Sequence, residues 1–160
     1  MLFKQTRIGK NGHPFTIYKL RSIPKGASQP NAWGVFLRKT KWDELPQLFN
    51  LLKGEMTLVG PRPDVPGYAD LLLGDDRIIL TVKPGITGLA SLKYRNEEQL
   101  LAQHPQPQHY NDTVIWPDKV RINKWYVQNR TFLIDLQIIF YTLVPIPFDV
   151  DRFMQGKREK

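Results

Sequence analysis

The segment from Asp43 to Lys53 constrains this chain more than any other. Leu45, Leu48, Phe49, Leu51 and Leu52 recur there at helical spacing, and Gly54 follows in a position that favours a left-handed C-cap. The spacing predicts a helix with an apolar face. Thr40 and Asp43 could form a capping arrangement, but Pro46 would then sit mid-helix and remove a backbone hydrogen bond. A start near Trp42 or Asp43 avoids this, because the first-turn N–H groups have no intrahelical partner anyway. The adjacent carboxylates Asp43 and Glu44 are then expected at a helix N-terminus.

These are also the first acidic residues in the chain. Nine basic residues and no acidic one lie between Met1 and Trp42: Lys4, Arg7, Lys10, Lys19, Arg21, Lys25, Arg38, Lys39 and Lys41. Such a segment attracts phosphates, whether of nucleic acid, anionic lipid or a nucleotide-sugar, although a solvated basic face is an equal reading from composition alone. The net charge of +8 over 160 residues fits one folded domain, and the absence of cysteine excludes disulfides, thiolate metal sites and a cysteine nucleophile. His13, His104 and His109 lack metal-ligand spacing and read as surface residues. Residues Met1 to Asn11 have no apolar core of the kind a secretory signal needs. The apolar stretch from Phe132 to Phe148 is broken by Asp135, Gln137, Pro145 and Pro147, whereas a membrane span needs ~20 mostly apolar residues.

The remaining pattern predicts an α+β fold, helix-rich with a small sheet. Pro14 to Leu20 reads as a strand, Lys25 to Asn31 as a loop, and Met56 to Val59 as a brief strand. Gly60-Pro61-Arg62-Pro63 is a stiff loop that fixes the backbone on both sides of Arg62. A weak helix is expected from Gly67 to Leu73, then a turn-rich connector over Lys83 to Gly88. A capping box at Asn96 to Gln99 should open a short helix ending near His104, with a surface loop to Asn111. Helices should follow from Pro117 to Val127 and from Thr131 to Leu143. The stripe Phe132, Leu133, Leu136, Ile139, Phe140 and Leu143 reads as core, while Trp116, Trp125, Tyr126 and Tyr141 are of types suited to headgroup depth.

An arbitrary Asp-Glu pair is more often structural than catalytic, since acidic residues favour helix starts. Here Arg38 precedes the pair by about a turn and a half, Arg62 lies on a rigid loop one element later, and the surrounding field is basic. Carboxylates among cations are expected to stay ionised, able to attack phosphorus or bind a divalent metal.

The text from Arg38 through Asp43-Glu44-Leu45-Pro46-Gln47-Leu48 to Met56, continued by Val59-Gly60-Pro61-Arg62-Pro63, is similar to the signature of the bacterial sugar transferases. These are monotopic phosphoglycosyl transferases that begin glycan assembly on undecaprenyl phosphate. The resemblance extends upstream through Phe3, Gln5, Arg7, Gly9, Gly12, Phe15, Lys19 and Arg21. Downstream it runs through Pro84-Gly85-Ile86-Thr87-Gly88 to Tyr126 and Asp135, so residues 1–160 are expected to form one catalytic domain. It implies Asp43 as the nucleophile on a UDP-sugar, Glu44 as a ligand of Mg²⁺, and Arg38 and Arg62 as clamps on phosphate oxygens. Lys19 and Arg21 are weaker candidates for the same surface, equally readable as a solvated strand edge.

The resemblance also implies work at the cytoplasmic face of the bacterial inner membrane. The family's hydrophobic membrane-inserting helix would precede the segment that starts here at Met1, and its absence from this sequence reads either as trimming or as a native lack of the anchor; for the sequence as it stands, attachment is expected to be peripheral and electrostatic. Asn123 and Arg130 depart from the family pattern, which expects an acidic residue and an aromatic there; Glu55 and Leu20 are conservative departures. The alternatives are a non-catalytic basic module for anionic lipid or nucleic acid and an inactive relative. A basic surface alone gives no reason for Asp-Glu-Leu-Pro-Gln-Leu and Gly-Pro-Arg-Pro to occur in this order, and no nucleic-acid partner is expected.

Overall fold

A computed structural model describes residues 2–144 and 146–156. Strands β1 (Leu2–Ile8) and β2 (Pro14–Leu20) form an antiparallel hairpin in which Phe3 faces Lys19 and Ile8 faces Pro14. Asn11 at φ 59° and Gly12 at φ 80° supply the left-handed turn between them. β2 was legible in the sequence and β1 was not. The half-buried positions of β1 are Phe3, Gln5 and Arg7, so two of the three inward side chains are polar and no apolar alternation marks the strand.

The loop to Asn31 is as expected, but helix α1 (Ala32–Thr40) was not foreseen. Asn31 caps it, its Oδ1 accepting from Gly34 N–H at 2.9 Å. Gly34 belongs inside this helix for a steric reason, since a Cβ there would lie 1.8 Å from the Ser22 carbonyl oxygen. Lys41 at φ 59° ends α1 and reverses the chain into a 3-10 helix, Trp42–Gln47, which passes into α2 (Leu48–Leu52) and stops at Gly54, φ 73°. The expected start near Trp42 and the left-handed glycine are present, but the helix is half 3-10.

The 3-10 winding sets which side is buried. With three residues per turn, Trp42, Leu45 and Leu48 share one face, exposed at 53%, 51% and 46%. Glu44, Gln47 and Asn50 share another, and Gln47 and Asn50 are buried at 3% and 0% exposure. The polar face points inward. Asn50 shows why: its Nδ2 donates to the Thr16 carbonyl and to the Glu55 carboxylate, both at 2.7 Å, and its Oδ1 lies 3.4 Å from Tyr18 N–H. One amide thus fastens the helix to β2.

β3 (Thr57–Val59) pairs in parallel with β4 (Gly85–Thr87), so the expected connector at 83–88 contains a strand. Between them lie 3-10 turns at Ala69–Leu71 and Gly74–Thr81; the helix expected over 67–73 is reduced to the first of these. α3 (Leu89–Lys93) and α4 (Glu97–Ala102) follow, and Asn96 precedes α4 without forming a side-chain cap bond. The expected surface loop is instead α5 (Pro107–Tyr110) and a π-helical turn, Asn111–Ile115. The last elements are α6 (Trp116–Asn129), α7 (Phe132–Leu143), capped by Thr131, and α8 (Val150–Gly156).

The main core joins Val59, Leu89, Leu92, Ile122, Trp125, Tyr126, Ile134, Ile138, Val150 and Met154. Two expectations are corrected here. Trp125 and Tyr126 are core residues at 3% and 2% exposure, while Trp116 and Tyr141 pack against the two cores. The α7 stripe faces outward instead: Phe132, Leu133, Leu136, Phe140 and Leu143 are exposed, and Ile134 and Ile138 make the inward contact. No helix among the described residues is long and apolar enough to cross a membrane.

Because Asn50 is wholly buried and holds two partners at 2.7 Å, Asn50→Ala should leave buried polar groups unsatisfied. Chemical denaturation should show a loss of about 3 kcal/mol, with a matching loss in Glu55→Gln of less than half that size.

Candidate active site

Three independently anchored elements converge on Glu44. β2 brings Lys19, whose Nζ lies 3.4 Å from Glu44 Oε1, and the Gly-Pro-Arg-Pro loop brings Arg62, whose Nη2 donates to the same oxygen. The 3-10 helix brings Glu44 itself, with Asp43 beside it.

The Arg62 loop is held on every side. Gly60 N–H donates to Thr87 O and Gly85 N–H to Pro61 O, both at 2.9 Å. A Cβ on Gly85 would lie 2.2 Å from Gly60 N, and one on Gly88 2.2 Å from Gly60 O. Backbones approach this closely only without side chains, which gives the Gly-Ile-Thr-Gly stretch its physical reason. Ile8 N–H donates to Asp64 O at 2.9 Å, and Arg7 Nη1 to Pro63 O at 3.2 Å. Behind the loop, Tyr126 O–H donates to Asp135 Oδ1 at 2.7 Å and lies 3.4 Å from Val59 O. The Tyr126 and Asp135 of the resemblance therefore support the site from the core.

The two carboxylates are not electrostatically equivalent. Burial alone would raise the Glu44 pKa, but Arg62 and Lys19 outweigh it and hold Glu44 below the usual carboxylate range. Asp43 goes the other way: burial, then the adjacent Glu44 charge, push it above its ordinary value despite Lys19 and Lys41. The expected lowering of the carboxylate pKa by neighbouring cations therefore holds for Glu44 and is reversed for Asp43. Asp43 Oδ1 is buried without a hydrogen-bond partner. Burial opposes the charge on Arg62, yet Glu44 against it keeps the guanidinium above its usual range. Lys19 is lowered by burial in spite of Glu44.

The other sequence candidates lie further out. Arg38 Nε donates to Ser22 Oγ at 2.9 Å and its Nη1 pairs with exposed Glu98 at 3.4 Å, so it is not bonded to either carboxylate. Arg21 lies 5.6 Å from the Phe3 ring, its Nε buried without a partner. Arg7, Gln47 and Asp64 were given no role by the sequence. Arg7 is half-buried beside Arg62, and burial followed by the Arg62 charge lowers its pKa. Gln47 is buried with its Nε2 unpaired. Only the inward 3-10 register, invisible to an α-helical reading, would have found Gln47. A small cavity of about 20 Å³ reaches Arg62 between Gly9, Pro61 and Asp64. A larger open cavity of about 560 Å³ lies between Arg77, Lys124 and Gln128 and contains neither Asp43 nor Glu44.

Among the described residues no group of three or more His, Cys, Asp or Glu could cage a metal. Mg²⁺ is nonetheless usually held by one or two carboxylates completed by substrate phosphates and water. The Asp43–Glu44 oxygens, one of them unpartnered, fit that use.

The site is thus a largely buried carboxylate pair, Asp43 and Glu44, with Lys19 and Arg62 bonded to Glu44 and Arg7 close by. The family described as bacterial sugar transferase matches residues 1–148. An uncharacterized sugar transferase of Bacillus subtilis, EpsL, is 37% identical over 153 residues, covering 89% of this chain and 68% of the relative. The undecaprenyl-phosphate galactose phosphotransferase of Salmonella typhimurium is 34% identical over 168 residues, covering 88% of this chain. The UDP-glucose:undecaprenyl-phosphate glucose-1-phosphate transferase of Klebsiella pneumoniae is 32% identical over 160 residues, covering 89% of it. This chain spans 32% of each of those two longer relatives. The chain belongs to the bacterial sugar transferase family.

Asp64, two residues beyond Arg62, has its pKa pushed up to about 6 by burial, which outweighs Lys119 and Arg7. A carboxyl raised in the folded state adds stability below its unfolded value of 3.8, and that stability is lost as pH rises through about 6. Asp64→Asn should therefore melt with wild type below about pH 4 and be more stable by roughly 3 kcal/mol at pH 8, with the difference opening between about pH 4 and pH 6 and level above that.

Proposed function

We propose that this chain transfers a sugar phosphate from a UDP-sugar to polyprenyl phosphate, undecaprenyl phosphate in the bacterial setting, and so initiates assembly of a lipid-linked glycan or exopolysaccharide. The observation that carries this reading is the unpartnered Asp43 Oδ1 beside a Glu44 already engaged by Lys19 and Arg62. Within one carboxylate pair, one member is free to react and the other is committed to charge organisation.

Asp43 attacks the β-phosphorus of the UDP-sugar. The new carboxyl oxygen–phosphorus bond replaces the bond to the bridging oxygen, which leaves with UMP and keeps the electron pair. A phosphate oxygen of the polyprenyl carrier then attacks the same phosphorus and the carboxylate of Asp43 departs, giving a polyprenyl diphospho-sugar. Arg62 and Lys19 are placed to neutralise phosphate oxygens, Arg62 through a planar fork that lysine lacks. Arg7, Arg38 and Arg21 extend the basic rim. Glu44 would hold Mg²⁺, and the ion would supply charge neutralisation on the phosphates and the departing UMP oxygen.

The surface around the nucleophile suits a lipid acceptor. Trp33 and Phe36 stack at 5.5 Å and Phe36 meets Trp42 edge-on at 5.9 Å, all exposed and continuing into Leu45, Leu48, Phe49 and Leu52. Exposed Lys39, Lys41 and Lys53 flank them. Aromatics with basic neighbours belong at headgroup depth, so we place this face, with the outward α7 stripe, against the cytoplasmic side of the inner membrane. The electrostatic attachment expected from sequence thus gains an apolar component from these residues.

Two experiments test this reading. With UDP-sugar alone, intact-mass measurement should show a phospho-sugar adduct that is absent in Asp43→Asn. Because only ionised Asp43 attacks and burial raises its pKa, adduct formation should begin to fall at a higher pH than it would for an ordinary aspartate. An adduct on the Asn variant would move the nucleophile elsewhere. In sedimentation with anionic vesicles, the chain should keep part of its binding at high salt, and Phe49→Asp with Leu52→Asp should remove that part roughly tenfold while leaving the melt unchanged, since these side chains are 65% and 82% exposed.

A further inference from the structure

Lys19 and Arg62 both contact one atom, Glu44 Oε1, which is the oxygen-bearing group that the proposed reading gives to the divalent cation. A guanidinium bonded to that carboxylate and a metal ion bonded to it are competing neutralisers. Two further positive neighbours leave little electrostatic reason for a third cation to enter. The same two side chains are also those that the phosphates of the substrate would recruit, and a guanidinium whose fork turns bidentately onto a phosphate weakens its hold on Glu44, which it contacts through Nη2 alone.

The surroundings decide which part can move. Pro61 and Pro63 fix the backbone on both sides of Arg62, and Gly60, Gly85 and Asp64 are tied by backbone hydrogen bonds. The cavity of about 20 Å³ that reaches Arg62 lies on the side of the loop lined by Ile8, Ile79 and Pro84 and does not include Glu44, so it holds one water at most and gives the guanidinium no inward phosphate site. The Arg62 side chain, however, is 40% exposed, whereas Glu44 is 10% exposed. A phosphate therefore arrives by drawing the guanidinium outward while the loop and the carboxylate stay in place.

We propose that Arg62, assisted by Lys19, occupies Glu44 in the nucleotide-free protein and keeps the divalent cation off it, and that a bound diphosphate takes over the guanidinium and releases Glu44 to the metal. Metal and nucleotide then bind with positive cooperativity, and without nucleotide the site takes up metal only weakly. The inference rests on the reading of Glu44 as the metal ligand. By linkage, anything that removes Arg62 from Glu44 without nucleotide raises metal affinity.

The test is equilibrium binding of Mn²⁺ alone, followed by electron paramagnetic resonance, to the full chain without nucleotide. Arg62→Gln should bind Mn²⁺ roughly tenfold more tightly than wild type. Lys19→Gln should change affinity in the same direction by less. Lys41→Asn, which removes a nearby charge that makes no bond to Glu44 and tolerates the left-handed backbone at that position, should show only a small through-space gain. The Glu44→Gln/Arg62→Gln double variant should lose the tight binding. Far-ultraviolet circular dichroism and a melt confirm folding, and Arg62→Lys supplies a second variant that keeps charge but loses the fork, with an affinity between wild type and Arg62→Gln.

Equal or weaker metal binding by Arg62→Gln, with Glu44→Gln still abolishing binding, would overturn the exchange while keeping Glu44 as a ligand. Tight binding that survives in the double variant would overturn the reading of Glu44 itself, and the exchange with it. A gain in Lys41→Asn as large as that in Arg62→Gln would also sink the exchange, by reducing it to net charge.

Discussion

The contact of Glu44 with both Lys19 and Arg62 is the interaction on which the rest of the site depends. A buried carboxylate loses much hydration, and its attraction to nearby cations recovers that loss only when the geometry is well set. Three separate devices set it here: the Asn50 amide that pins the helix to β2, the glycine-lined β3–β4 approach that fixes the Arg62 loop, and the Ile8–Asp64 and Arg7–Pro63 bonds that tie that loop to the hairpin. Each would be an unremarkable local feature elsewhere. Together they confine one carboxylate, one ammonium and one guanidinium within bonding distance.

The backbone at Lys41 is the second constraint. A left-handed residue between α1 and the 3-10 helix lets two helical segments follow each other at an angle, which no continuous helix could do. The tighter 3-10 winding then aligns Glu44, Gln47 and Asn50 on one side and Trp42, Leu45 and Leu48 on the other. Short 3-10 runs have poorer hydrogen bonds than α-helix, so tertiary contacts have to maintain this one. The Asn50 hydrogen bonds and the ion pairs of Glu44 are those contacts. Structure and site therefore support each other through the same residues.

Much of this was legible in the sequence, and the exceptions share a cause. The Gly-Pro-Arg-Pro loop, the helix start near Trp42, Gly54, β2, α6 and α7 follow from local stereochemistry, which a sequence carries directly. Lys19, Glu44 and Arg62 were named as site residues, and the structure brings them together; Arg38 and Arg21 were named with them and sit further out. β1 and β4 were missed because their reasons are tertiary: β1 turns Gln5 and Arg7 inward, and β4 is a glycine-bearing segment that becomes a strand only beside β3. Arg7 and Gln47 were missed as site residues on the same grounds. α8 lies beyond the family match, and it is Val150 and Met154 in the core, with Asp151 bonded to Lys93 at 2.6 Å, that hold it.

The exposed apolar residues were misassigned for a deeper reason. Hydrophobic periodicity reports which face of a helix leaves water, but not what it meets there. For Phe132, Leu136 and Phe140 the sequence pattern was read correctly as an apolar face and wrongly as core, and for Leu45, Leu48 and Phe49 it marked an apolar face without saying what that face meets. In the structure the core is built by the opposite sides of the same helices, by Asn50 and Gln47 in one case and by Ile134 and Ile138 in the other. On the proposed reading, an element that buries its polar or narrow side and leaves its broad apolar side exposed would serve two solvents rather than one. Trp42 immediately precedes Asp43, so the exposed aromatic face begins within one residue of the buried carboxylate pair. The same reading would bring a nucleotide-sugar in across the basic side chains of Lys19, Arg62 and Arg7 and a lipid phosphate along the aromatic face. Each would then reach Asp43 without leaving its own phase.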